Sequence, residues 1–186
     1  MKVLKKIIFI VVLVSISIGL LFVGSGYDMY KKAIEETSIE DKIAEIKSKE
    51  NYTKISELPQ MYKNAVISVE DHRFYKHNGI DIIAIGRAAF NDIKAMSFVE
   101  GGSTITQQIA KNIYFTQEKK IERKIAEVFM AFKIEKNCDK DEILELYLNT
   151  SYFGDGYDTP KEACKGYFNK ELNEMTDYEC ILLAGI

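Results

Sequence analysis

The 186-residue chain has no tryptophan and only two prolines, two histidines and three cysteines. Cys138, Cys164 and Cys180 are odd in number and widely spaced, which excludes a disulfide framework and leaves room for one bridge at most. Neither a Cys-x-x-Cys pair nor a spaced His/Cys set is present, so a structural zinc site is excluded too. The three thiols are read as small buried apolar groups. An excess of positive charge is also missing. Lys and Arg total 25 against 28 acids, a net charge of −3, and nothing argues for a nucleic-acid partner. There is no internal repeat and no low-complexity segment, and no stretch alternates as a half-buried strand would. The length suits one domain with an appendage and is short for two.

What is present begins with a long apolar run. Lys2, Lys5 and Lys6 precede IIFIVVLVSISIGLLFV, Ile7 to Val23, close to the roughly 20 residues that cross a bilayer. The run is long for a cleaved signal peptide, and GSGYDMY offers no small-x-small cleavage site. Residues 1–26 are therefore read as cytoplasmic lysines and an uncleaved signal-anchor transmembrane helix, with everything after Tyr27 outside the cytoplasm. Residues 27–54, charged and poor in large apolar side chains, are read as a partly helical stalk without chemistry.

From about Ile55 to Ile186 the punctuation is helical and predicts an all-α domain. Pro59 suits a first turn, and Met61, Ala65, Val66 and Val69 form a stripe ending at Glu70. A second helix is predicted from Asp81 to about Lys94 on Ile82, Ile85, Ala89 and Ile93. Thr104 and Gln107 have the spacing of a capping box. Ile121, Ile125, Val128, Phe129 and Phe132 define the longest amphipathic helix. Asp139, Thr159 and Thr176 mark further starts.

Four stretches carry candidate chemistry. Glu70 and Asp71 stand where the first domain helix should end, facing the negative end of its dipole, a setting that favours taking up a proton. The alternative is a solvated helix end paired with Arg73. In GGSTITQQIAKN the glycine pair precedes a helix whose free N–H groups suit an anion. Ser103, Thr104, Thr106, Gln107 and Gln108 add neutral hydrogen-bonding groups, and Lys111 adds a cation. Arg123 and Glu127, four apart, share a helix face, either as a surface ion pair or as a carboxylate held among cations in a cleft. Glu145 and Asn149, also four apart on a core helix, are read as structural.

Taken in order, these stretches resemble the peptidoglycan glycosyltransferases of glycosyltransferase family 51. Glu70, Asp71, Phe74, His77 and Gly79 match the first motif. Gly101, Ser103, Thr104, Thr106, Gln107 and Gln108 match the second, Arg123, Lys124 and Glu127 the third, and Lys140 to Asn149 the fourth. The resemblance implies a lysozyme-like, two-lobed helical domain and a substrate, the polyprenyl-pyrophosphate-linked disaccharide-pentapeptide lipid II. It implies Glu70 as the base and Glu127 as its catalytic partner across the cleft. Asp71, Phe74, Ser103, Thr104, Thr106, Gln107, Gln108, Lys111, Lys119, Arg123 and Lys124 are implied as substrate-binding residues. His77, Gly79, Glu145 and Asn149 are implied as structural members of the motifs. Lys119 stands where the family has arginine, losing the bidentate fork.

No metal-ligating residue is assigned, and a divalent cation, magnesium or manganese, stays open as a cofactor. The expected partners are lipid II, the growing glycan strand, the bilayer, and transpeptidases or other cell-wall enzymes. The expected location is the bacterial cell membrane, single-pass, with the domain extracytoplasmic. The apolar stretch around Phe90, Ile93, Met96 and Phe98 is either a core-packed helix end or the family's membrane-facing segment. Since the family's pattern continues further, the domain is expected to be truncated at its C-terminus. The rival readings are a lysozyme-type peptidoglycan hydrolase and a non-catalytic, membrane-anchored scaffold that binds lipid II.

Overall fold

The computed structural model describes residues 2–116, 118 and 120–186, and within them all regular structure is helical. Lys119 lies outside the described residues. Helix α1 runs unbroken from Lys2 to Glu36, and its apolar stretch is exposed along its length, long and apolar enough to cross a membrane. A break at Thr37 leads to α2 (Ile39–Lys47), capped by the Ser38 hydroxyl accepting from the Asp41 N–H.

The charged segment expected to be a spacer is packed into the domain instead. Ile39 and Ile46 of α2 join the main core, and Tyr30, Ala33 and Ile34 of α1 pack against it. The domain's core thus reaches upstream of Ile55. Sparse apolar residues concealed this, because the two that matter lie seven apart on one face of a short helix.

The core is built by α3 (Gln60–Glu70), α5 (Ile105–Tyr114), α6 (Ile121–Asn137), α7 (Lys140–Leu148), α8 (Pro160–Phe168) and α9 (Asp177–Ala184). Helix α3 packs on α9, and α5 packs on both α6 and α7. The α3 stripe is Tyr62 with Val66, whereas Met61 and Val69 face outward. On α6 the innermost residues are Ala126, Glu127, Met130, Ala131 and Ile134, and Ile121 is exposed. Burying Met130 and Ile134 stabilises the fold by about 1.5–3 kcal/mol each. Cys138, Cys164 and Cys180 are free and buried. Burial, reinforced by Glu142, pushes the Cys138 thiol up to about 12, leaving it inert.

Helix α4 (Ile82–Ala95) differs from the rest. Asp81 caps it, accepting from the N–H groups of Ile83 and Ala84, and Met96 ends it in the left-handed region at φ 49°. Its helical periodicity is as predicted, but its only buried residue is Ala88. Ile82, Ile83, Phe90 and Ile93 face outward, and beyond the helix Met96 and Phe98 are 94% and 99% exposed. Of the two alternatives for this stretch, packing in the core is ruled out.

Candidate active site

Helix α3 delivers Glu70 to the rim of a cleft by ending on it. The next residue, Asp71, leaves helical geometry at φ −159° and ψ 71°, and its carboxylate turns inward. There it lies 2.9 Å from His77 Nε2 and accepts from the Ile105 N–H at 3.1 Å. The start of α5 therefore receives an anion from within the protein, since Asp71 occupies the place that a free helix N-terminus would offer a ligand. The Thr104–Gln107 capping box completes that turn, and Thr104 Oγ1 donates to the Gly79 carbonyl at 2.7 Å. Gly79 is required here. Its φ is +94°, and a Cβ would lie 3.2 Å from the Ala131 carbonyl carbon on α6.

Several residues matched to the family's motifs thus frame the site without facing it. Phe74 and Thr106 are fully buried, Phe74 under the Lys140 ammonium at 4.4 Å and Thr106 donating to Glu135 at 2.6 Å. Asp71, Thr104 and Gln107 are buried and hydrogen-bonded at the α3–α5 junction, but Gln107 uses only Oε1 of its side chain there and also lines the cationic hollow described next. Asp71, Phe74, Thr104 and Thr106 thus hold no free polar atom toward the cleft. Glu145 and Asn149 brace α7 to the segment before α3. Glu145 accepts from the Tyr52 hydroxyl and from the Ile55 N–H at 2.5 Å, and Asn149 pairs with both backbone groups of Thr53 at 2.8 Å.

The remaining site residues converge. Gln108 Nε2 donates to Glu70 Oε2 at 2.6 Å, and Glu70, Gln108 and Lys111 form the ridge between two hollows. The first, about 350 Å³, is walled by Ser103, Arg123, Lys124 and Glu127. Glu127 is 0% exposed, with Arg123 Nη1 3.0 Å from Oε1 and Lys124 Nζ 2.7 Å from Oε2. Lys124 also donates to Ser103 Oγ at 2.6 Å, tying α6 to the loop before α5. The Arg123 contact lacks hydrogen-bond alignment, so Nε, Nη1 and Glu127 Oε1 are buried without hydrogen-bond partners among the described residues. Lys111 has no carboxylate partner among the described residues. This side of the cleft holds more positive charge than Glu127 neutralises.

The second hollow, about 310 Å³, is lined by Tyr62, Asn112, Tyr147, Ser151 and Tyr152. Its chemistry is neutral hydrogen bonding and aromatic surface. Tyr147 belongs to the core of α7 by burial, yet its phenol faces Glu70. Burial, and then the Glu70 charge, pushes it well above its usual 10.0. The available signal was its amphipathic nature, an apolar ring with a polar tip.

Asp71, His77 and Asp81 place ligand-type atoms within 4.8 Å of one another. They do not fit a resident divalent ion. Asp71 is held by His77 and Ile105, and Asp81 by Ile83, Ala84 and the Arg73 guanidinium at 2.9 Å. A cation already occupies that role.

Comparison with known proteins places these features in a lineage. A family model described as Transglycosylase matches residues 38–186. Penicillin-binding protein 1F of Bacillus subtilis (strain 168) is 49% identical over 132 residues, which is 71% of this chain and 18% of that protein. Penicillin-binding protein 1A of Neisseria gonorrhoeae is 45% identical over 135 residues, 73% and 17% respectively. That of Neisseria lactamica is 44% identical over the same shares. The chain thus spans under a fifth of the length of these relatives.

Proposed function

The chain belongs to the transglycosylase family, and on that footing we propose that it polymerises lipid II into peptidoglycan glycan strands. The observation that carries this reading is the position of Glu70, on the ridge between a cationic hollow and a neutral, hydroxyl-rich one. The cationic hollow takes the pyrophosphate of the growing strand, and the neutral one takes the acceptor sugar.

Glu70 removes the proton from the acceptor 4-hydroxyl, with its carboxylate oriented by Gln108. That oxygen attacks the anomeric carbon with inversion, forming a β-1,4 bond, while the bond from that carbon to the pyrophosphate oxygen breaks. Undecaprenyl pyrophosphate leaves, its charge met by Lys111, Arg123 and Lys124, and Glu127 keeps Arg123 and Lys124 in place. Pyrophosphate is a competent leaving group, so fixed cations can replace a protonated acid. A hydrolase would need a carboxylic acid at the leaving oxygen. The oxygens of Glu127 face Arg123 and Lys124 instead.

Helix α1 anchors the domain in the bacterial membrane with the cleft outside, and the exposed apolar side of α4 and residues 96–99 rests in the same lipid surface. The substrate's lipid tail then stays in the bilayer. Other cell-wall enzymes, transpeptidases among them, are the fitting partners.

The test is gel analysis of lipid II polymerisation by the full chain and by Glu70→Gln, beside a separate incubation with finished glycan. Strand formation that the substitution abolishes is expected. Fragments released from finished glycan without polymerisation would overturn the reading in favour of the hydrolase, and tight lipid II binding with no turnover would favour the scaffold.

A further inference from the structure

We propose that the anchor helix α1 positions the cationic wall of the cleft, acting through Gly26, an inference that rests on the function proposed above. Gly26 is the one buried residue of α1 among the described residues. A Cβ there would lie 2.6 Å from Ile125 Cβ and Cγ2 and 2.8 Å from the Glu122 carbonyl oxygen. Two of those obstacles, a Cβ and a backbone oxygen, cannot move by changing a rotamer. Any side chain at position 26 must therefore separate α1 from α6. Tyr27, the next residue, and Tyr30, one turn further on, close around Phe129, with ring centroids 5.2 and 5.9 Å away. Gly19 and Gly24 of the same helix have nothing within 4 Å of an added Cβ.

The importance of the contact lies in the helix it touches. Helix α6 meets α1 through Glu122, Ile125 and Phe129, and it presents Arg123 and Glu127 to the cleft. It is packed between α1 and α5. The cations of α6 and the base of α3 sit on separate elements, so their spacing depends on where α6 lies. A displacement of about 1 Å at such a site can cost on the order of 10²-fold in rate. Gly26 and Tyr30 touch no substrate and are positioning residues.

The experiment uses the full chain in lipid nanodiscs, comparing wild type with Gly26→Ala, Gly24→Ala and Tyr30→Leu. It records thermal unfolding, kcat and KM with lipid II, and calorimetric affinity for farnesyl pyrophosphate. Gly26→Ala is expected to unfold cooperatively and to lose about tenfold or more in kcat, with KM rising by no more than about threefold. Farnesyl pyrophosphate should bind it about threefold more weakly, and Gly24→Ala should stay within about twofold of wild type throughout. If Gly26→Ala does not fold, Tyr30→Leu decides, with a kcat loss of about threefold expected at an unchanged unfolding midpoint. A folded Gly26→Ala with wild-type kcat and pyrophosphate affinity would overturn the proposal, as would an equal loss in Gly24→Ala. If wild type forms no strands, the functional reading has failed, and positioning is judged on farnesyl pyrophosphate affinity alone.

Discussion

Gln108 Nε2 reaches across from α5 to Glu70 Oε2 at 2.6 Å, so the carboxylate proposed as the base is oriented by a residue on another helix. Gln108→Ala removes that donor and leaves Glu70 free to rotate. The expected result is a fall in kcat of about tenfold, against the 10²–10⁴-fold expected of Glu70→Gln. Both variants should unfold like wild type, which circular dichroism melts would check.

Glu127→Gln should behave differently from Glu70→Gln. It leaves Arg123, whose side chain is 13% exposed, and Lys124 without their counter-charge. Removing one partner of a buried pair costs about 3–5 kcal/mol, and the partial exposure of Lys124 places this case at about 2–4. Loss of polymerisation accompanied by a lower urea midpoint is the expected signature. Lost activity with an unchanged midpoint would mean that Glu127 acts in chemistry alone.

Thr106→Val tests whether this residue supports the site or contacts substrate. Its hydroxyl is fully buried and bonded to Glu135, so the substitution should cost about 1 kcal/mol of stability. KM for lipid II should not change. A severalfold rise in KM would restore Thr106 to the binding surface.

Gly79→Ala forces a left-handed φ of +94° on a residue with a Cβ and presses it against the α6 backbone. A loss of about 2 kcal/mol is expected, seen as a midpoint lower by roughly 4–8 °C. Since Thr104 donates to the Gly79 carbonyl, activity should fall with it.

Asp81 supplies a pH dependence. Burial pushes its pKa up, but the N–H groups of Ala84 and Ile83 and the Arg73 guanidinium outweigh that, leaving it below the usual 3.8. A carboxyl with a depressed folded-state value contributes stability above 3.8 that is lost as pH falls through the folded value. The melting-point gap between wild type and Asp81→Asn should therefore be constant above about pH 5 and close as pH falls below about 4. A gap that persists at low pH would show that Arg73 and the cap do not depend on the charge.

Much of this architecture was legible because local rules agree with one another. Pro59, Thr104 with Gln107, Asp139, Thr159 and Thr176 all sit at or beside the helix starts they signal. The four-residue spacing of Arg123 and Glu127 correctly put them on one face. A motif, however, does not say which members face outward. Phe74 and Thr106 share motifs with Glu70 and Gln108 yet lie beneath them. Periodicity marks an apolar face without naming what covers it, so α4 read the same whether it faced protein or lipid. The packing of α1 on α6 was hidden for a related reason. Its contact depends on the absence of a side chain at Gly26, and a missing side chain leaves no hydrophobic signal.

Helix α1 has no break between its apolar stretch and its contact with α6. Its 35 residues make a rod about 52 Å long, of which a bilayer's hydrocarbon takes about 30 Å. With no hinge along it, tilting or spinning the rod in the membrane proposed for it would carry the α6 face of the cleft along as one piece. On the proposed reading, the cleft's bearing over the lipid surface is then set like that of a flag on a mast, by the rotation of the shaft.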